Sequence, residues 1–304
     1  MGSADFGIPA LSALISEKYT IAGIVTTPAR QKGRGLKTAE SPIADYAIRH
    51  GLTPLFKPET LSDETFINDL SQLRADLFIV IAYRILPEKV FMIPRIATVN
   101  LHASLLPQYR GPAPIHRAIE AGETETGVTV FRIDKGVDTG NIILQKKTMI
   151  GERETTPQLY ERLSSLGAEA IVETCRRFEQ GTVSYTGQDD TAVSYAPKLS
   201  KREAAIQWNT PAPVLCNRIR AFKPFPGTYT LLGDTRLGIE DAVPVDGSSA
   251  LAPGTVCSVT PEWFEVQCQN SCLRILAVKP AGKKRMPVKA YLLGTAIEKG
   301  TILG

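Results

Sequence analysis

The fold class predicted is α/β: a doubly wound, mostly parallel sheet in a Rossmann-like domain, followed by a small C-terminal β-barrel of OB-like type. Three observations predict it. The runs "TIAGIVTTP", "ADLFIVIAY" and "IATVNLHA" are short and almost continuously apolar, as strands covered on both faces are. Helix-like stretches lie between them, and that alternation belongs to a parallel sheet with crossover helices. Past residue 204 the pattern becomes many short β runs broken by Gly, Pro and Asp, which suits a barrel. The expected divisions are 1–182 for the α/β domain, 183–203 for a linker and 204–304 for the barrel.

The elements follow in order. "GSADFGIPAL" has the look of the loop and helix after the first strand of a mononucleotide-binding half, so about six to eight further residues, mostly β-branched, are expected upstream as a central strand. "ESPIADYAIRHG" is a helix with Ser41 as N-cap, Pro42 in its first turn and Gly51 closing it. "SDETFINDLSQL" is a second helix. "TGVTVFRID" and "GNIILQKKTMI" read as two strands joined by the turn "KGVDTG". "TTPQLYERLSSLGAEAIVETCRRFEQG" is a long amphipathic helix, capped by Thr156, opened by Pro157 and ended by Gly181. "SYTGQDDTAVSYAPKLSKREA" is polar without an apolar stripe, hence the linker. "APVLCNRIRAF" is a short helix, and "TYTLL", "TRLGIEDA", "GTVCSV", "WFEVQC" and "CLRILAVKP" are barrel strands. Trp208, Trp263, Phe222, Phe225 and Tyr229 are assigned to the barrel core rather than to base stacking.

Composition excludes several classes. With 43% hydrophobic and 22% charged residues the chain is globular, and no apolar run reaches the roughly 18 residues of a membrane span. The N-terminal stretch does not have the pattern of a secretory signal. The five cysteines are odd in number and scattered, which fits reduced thiols in a cytoplasm. Cys268 and Cys272 form a C-x3-C pair near Cys257, but all three histidines lie far upstream, so small buried hydrophobes are the better account and no metal is expected. The net charge of +4 falls entirely after residue 204, which suggests a polyanionic partner for the barrel. A monomer is expected.

The segment "NLHASLLPQYRGPAPIHRAI" carries the candidate chemistry. Asn100 and His102 are two apart on a strand and so share a face, at the C-terminal end where open sheets hold their ligands. An amide donor beside an imidazole suits a developing oxyanion; a buried histidine satisfied by a carbonyl, beside a capping Asn, accounts for the spacing equally well. Asp138, in the glycine-flanked turn "DKGVDTG", could approach His102 and favour its charged form, or be an ordinary turn residue. Arg30, Lys32, Arg34 and Lys37 form an acid-free basic run with Gly33 and Gly35 around Arg34, fit for a phosphate backbone or for a solvated loop. Lys283, Lys284 and Arg285 form a second cluster open to the same two readings.

These residues carry a resemblance. "NLHASLLPQYRG" with "DKGVDTG" downstream resembles the signature of the folate-dependent formyltransferases. "GSADFGIPAL", "TTPARQKGRGLKTAESPI", "SYAPKLSKREAAIQW", "IRAFKPFPGTY" and "KPAGKKRM" extend the likeness over essentially the whole chain, to the tRNA-directed members with a second domain. The resemblance implies that Asn100, His102 and Asp138 are catalytic. It implies a tetrahydrofolate site lined by Ser104, Leu105, Leu106 and Pro107 and bordered by Tyr83 and Leu86, where Arg84 stands in place of an expected glycine. It implies 10-formyltetrahydrofolate as donor, without a metal, and initiator methionyl-tRNA as acceptor. The loop with Arg34 in the lead would meet the acceptor end, and the basic barrel would hold the rest. Within the same family an amino nucleotide sugar is the alternative acceptor, and it would need neither basic region. A non-catalytic RNA-binding protein has no use for His102. A nicotinamide-dependent oxidoreductase would require a G-x-G-x-x-G after a strand, and none is present.

Overall fold

The apolar runs become strands whose lengths are set by the partners available to them. The computed structural model describes residues 1–32, 37–247 and 250–304. They form two compact units, Met1–Pro114 with Glu125–Met149 and Tyr160–Ala196, and Ile115–Thr124 with Ile150–Leu159 and Pro197–Gly304.

The first unit opens with α1 (Ile8–Ser16) and β1 (Ile24–Val25), then the antiparallel pair β2 (Arg30–Lys32) and β3 (Lys37–Ala39). α2 (Pro42–Arg49), β4 (Leu55–Phe56), α3 (Glu64–Gln72), β5 (Leu77–Ile81), α4 (Glu88–Phe91) and β6 (Ala97–His102) follow. α5 (Pro114–Ala121) passes into the second unit, and β7 (Glu125–Arg132), β8 (Ile142–Met149) and the long α6 (Thr156–Glu179) come next. The main sheet runs β5–β6–β7–β8. β5 and β6 are parallel, with Val80 opposite Asn100, whereas β6, β7 and β8 are antiparallel, with His102 opposite Thr129. A short turn between β7 and β8 permits only the antiparallel arrangement, since a parallel return needs a long crossover.

β1 is much shorter than its apolar run. It pairs in parallel with β4 as a separate two-stranded sheet, and Gly2 lies at its other edge, donating from its N–H to the Val25 carbonyl at 3.0 Å. Met1 and Gly2 bridge across to β5: the Met1 amine donates to the Ile79 carbonyl at 2.7 Å, and the Ile81 N–H donates to the Met1 carbonyl. Beside them lies a cavity of about 610 Å3 lined by Leu14, Ile24, Phe78, Ile79 and Cys175 among others. The core around β5 gathers Val25, Phe66, Leu70, Phe78, Val80 and Val90.

Helix ends follow local chemistry. The Ser41 hydroxyl accepts from the Ala44 N–H at 3.0 Å, capping α2, and Gly51 takes φ +63° beyond its end. Thr156 is not a cap. It is the first residue of α6 and its hydroxyl donates to the Ala221 carbonyl at 2.6 Å, while Thr155 bonds Gln158 through both N–H and hydroxyl. α6 lies hard against β6: a Cβ at Gly167 would fall 2.6 Å from Leu101 Cδ2, so only glycine admits the approach.

The stretch expected to be a linker is paired along part of its length. Thr186 bridges Ile142, and residues 194–196 lie beside the loop after β6, with Arg110 N–H donating to Ser194 O at 2.9 Å and Ala196 N–H to Arg110 O at 2.7 Å. Its polarity serves that pairing.

The second unit contains α7 (Ala212–Ala221), β9 (Thr228–Leu232), β10 (Thr235–Val245), β11 (Val256–Val259), β12 (Phe264–Gln267), β13 (Cys272–Pro280), β14 (Met286–Pro287) and α8 (Val288–Leu292). The strands are antiparallel in the order β11–β12–β13–β10–β9, with β14 on β13. The two open edges are joined through residues 302–303, since Leu303 bridges Leu232 and Ile302 bridges Thr255. Gly254, at φ +91°, lets that segment in, as a Cβ there would meet the Leu303 carbonyl at 2.5 Å. Trp208, Leu237, Phe264 and Ile275 fill the interior, and the Trp208 indole donates to Thr230 Oγ1 at 3.0 Å. Phe222 is fully buried, but Phe225 is half exposed. It stands between two prolines that lack the N–H a strand or helix requires. Tyr229 and Trp263 are half buried, each under an arginine, Arg236 and Arg274.

All five cysteines are free thiols, and Cys257 and Cys272 face each other at 3.3 Å. Burial pushes Cys268 up to about 12. Among the described residues, no helix is long and apolar enough to cross a membrane, and no three His, Cys, Asp or Glu gather as a metal site would need.

Candidate active site

β6 ends at His102, and strand alternation puts Asn100 on the same face. The imidazole is buried between two acceptors. Nε2 lies 2.9 Å from the carbonyl of Tyr109, and Nδ1 lies 3.7 Å from Asp138 Oδ2. A carbonyl can only accept, so Nε2 carries a hydrogen whatever the charge of the ring. Nδ1 is therefore the nitrogen left to face the carboxylate. The Asn100 amide makes no side-chain hydrogen bond among the described residues and stays free to donate.

Two backbone conformations hold this geometry. Tyr109 has φ +60° and Asp138 φ +57°, a region that costs a non-glycine residue about 1–3 kcal/mol unless its surroundings enforce it. The Tyr109 N–H donates to Ser194 Oγ at 2.9 Å, while its carbonyl takes the His102 hydrogen. The Gly111 N–H donates to Asp138 Oδ2 at 2.9 Å, which aims the carboxylate. Gln188 donates from Nε2 to the carbonyls of Asp138, at 2.9 Å, and Gly140, at 2.8 Å.

The loop from Ser104 to Pro107 is tied down from beneath. Thr129 Oγ1 donates to Ser104 O and accepts from the Leu106 N–H, and Gln145 Nε2 donates to both Leu106 O and Thr129 Oγ1. Ser104 and Leu106 are buried, with the Ser104 hydroxyl donating to Gln108 O at 2.6 Å. Leu105 and Pro107 are the half-buried members that offer surface. Leu86 belongs to the core around β5, and Tyr83 donates its hydroxyl hydrogen to Thr26 O. Arg84 folds back to donate to the carbonyls of Pro58 and Glu59 and to the Tyr83 hydroxyl.

The basic residues occupy two other places. Arg30 is exposed on the β2–β3 hairpin, where Lys32 stands opposite Lys37; Arg34 lies outside the described residues. In the second unit Lys283, Lys284 and Arg285 are exposed on the turn between β13 and β14, and Arg285 comes within 4.0 Å of Asp241. The supporting residues Arg110, Gln188, Thr129 and Gln145 were not singled out in the sequence. Arg110 and Gln188 stand 78 positions apart, and no local pattern marks such a pair.

Residues 1–175 match the model of the family described as formyl transferase, and residues 198–296 match that of the formyl transferase C-terminal domain. The chain belongs to the formyl transferase family. This formyl transferase is 41% identical over 305 residues to the methionyl-tRNA formyltransferase of Moorella thermoacetica, with 100% of its own chain and 98% of the relative covered. It is also 41% identical to that of Paraburkholderia xenovorans, covering 98% and 94%. Among solved structures it resembles the sugar 3N-formyl transferase WlaRD, with a TM-score of 0.66 at 18% identity over 93% of this chain and 97% of the other. The N-formyltransferase of Helicobacter canadensis is similar at a TM-score of 0.65 and 19% identity, over 94% and 97%. These likenesses establish the fold.

Proposed function

We propose that the chain transfers the formyl group of 10-formyltetrahydrofolate to the α-amino group of initiator methionyl-tRNA. The observation that carries the reading is the carboxylate of Asp138 3.7 Å from His102 Nδ1, at the end of a strand that puts the Asn100 amide on the same face as His102. The neutral amine attacks the formyl carbon, and the carbonyl oxygen gains negative charge. Asn100 and the protonated Nδ1 donate hydrogen bonds to it, which strengthen as charge develops. Asp138 balances the ring's positive charge. As the tetrahedral species collapses, the bond from carbon to N10 of the folate breaks. The proton lost by the amine passes by way of Asp138, directly or through a water, to N10.

Leu105 and Pro107 would border the folate, with Tyr83 nearby, while Ser104, Leu106 and Leu86 shape the walls from within. Arg30, Lys32, Arg34 and Lys37 would meet the acceptor end of the tRNA, and Lys283, Lys284 and Arg285 its phosphate backbone. High identity to methionyl-tRNA formyltransferases over the full chain supports the tRNA acceptor, as do the two basic clusters. The free thiols favour a cytoplasmic enzyme.

The test is formyl transfer from 10-formyltetrahydrofolate to methionyl-tRNA, with uncharged tRNA, free methionine and an amino nucleotide sugar as comparison acceptors. Rapid formylation of methionyl-tRNA alone is expected. Preference for the sugar would transfer the reading to the other branch of the family.

A further inference from the structure

We infer that Gln188, together with Arg110, is a positioning residue for formyl transfer: its side-chain amide sets the Asp138 carboxylate at its working distance from His102. The inference rests on the catalytic roles proposed above. Every polar capacity of the Gln188 amide is engaged. Its two hydrogens go to the carbonyls of Asp138 and Gly140, and its oxygen accepts from Arg110 Nε at 3.0 Å and Nη2 at 2.8 Å. Arg110 is buried, and its other charged neighbour is Asp190, whose Oδ1 lies 3.3 Å from Nη2. The residue after Arg110 supplies the N–H that holds Asp138 Oδ2. Asp138 is thus gripped at both ends, its carbonyl by Gln188 and its carboxylate by Gly111.

That grip answers a need. Asp138 has φ +57°, and a non-glycine residue returns to negative φ when its surroundings release it. Such a return would swing the carboxylate away from His102 Nδ1. Gln188 touches neither reacting atom, so its effect should pass through the rate rather than through folate affinity.

The experiment compares Gln188→Glu, Gln188→Asn and Asp138→Asn with the parent. It measures kcat, KM for 10-formyltetrahydrofolate and the pH profile of kcat with methionyl-tRNA as acceptor, with thermal midpoints alongside. Gln188→Glu keeps acceptors for Arg110 and loses both donors to the turn. Gln188→Asn keeps the chemistry but is one methylene too short to span it, and it carries the test should the first variant not fold. We expect kcat to fall on the order of tenfold in both, with KM within about twofold. The limb of the pH profile that moves in Asp138→Asn should move in the same direction in both. Parental kcat and pH limb in the Gln188 variants, with Asp138→Asn impaired, overturn this inference alone. An Asp138→Asn enzyme as fast as the parent overturns the catalytic roles, and this inference with them.

Discussion

In the proposed mechanism, replacing His102 by Ala removes the Nδ1 donor from the substrate oxygen, together with the hydrogen that the Tyr109 carbonyl accepts from Nε2. The rate consequence is that of one lost oxyanion donor, a drop in kcat of about 10² to 10³ with little change in folate binding. Asn100→Ala should show a similar fall, and the double variant less than the product of the two, because both donors serve one oxygen. Single-turnover kinetics at saturating donor would measure all three; near-parental turnover in His102→Ala would remove it from the mechanism. The common face of Asn100 and His102 was legible because strand alternation fixes it, whereas the turn of Asp138 allowed two readings, and the structure sets its carboxylate 3.7 Å from Nδ1. Which ring nitrogen works was not legible, since it depends on a main-chain carbonyl seven residues on.

At the scale of elements, buried strands and capped helices announce themselves by runs and end residues, as at Ser41 and Gly51 in α2. Interactions distant in sequence do not. The polar stretch around Gln188 lacks an apolar period, so it resembled a linker, and Phe225 resembled core because its aromaticity outweighed its two flanking prolines. The basic elements yield a prediction. Lys283 and Lys284 sit exposed on one turn, so converting both to Ala should weaken every tRNA alike. The dependence of log K on log salt should become shallower by about one unit per lost phosphate contact. Were Arg34 to meet the acceptor end as proposed, Arg34→Ala should lower kcat/KM for the initiator more than for a tRNA without the initiator's acceptor features. Rates on both tRNAs at two salt concentrations separate the two roles, and equal losses on both for Arg34→Ala would make that loop a mere electrostatic tether.

For the molecule as a whole, the contacts that span the longest stretches of chain close last. The laying of residues 194–196 against the loop after β6 has a consequence in time. Arg110 and Ser194 are separated by 84 positions, and closing so long a loop is worthwhile only after the strands beneath have formed. A refolding chain should regain its sheet signal first and turnover afterwards. In the native protein the amides of Arg110, Ala113 and Ala196 should exchange with deuterium as one cooperative group, ahead of those in β6, so that the last part of the molecule to assemble is also the first to open.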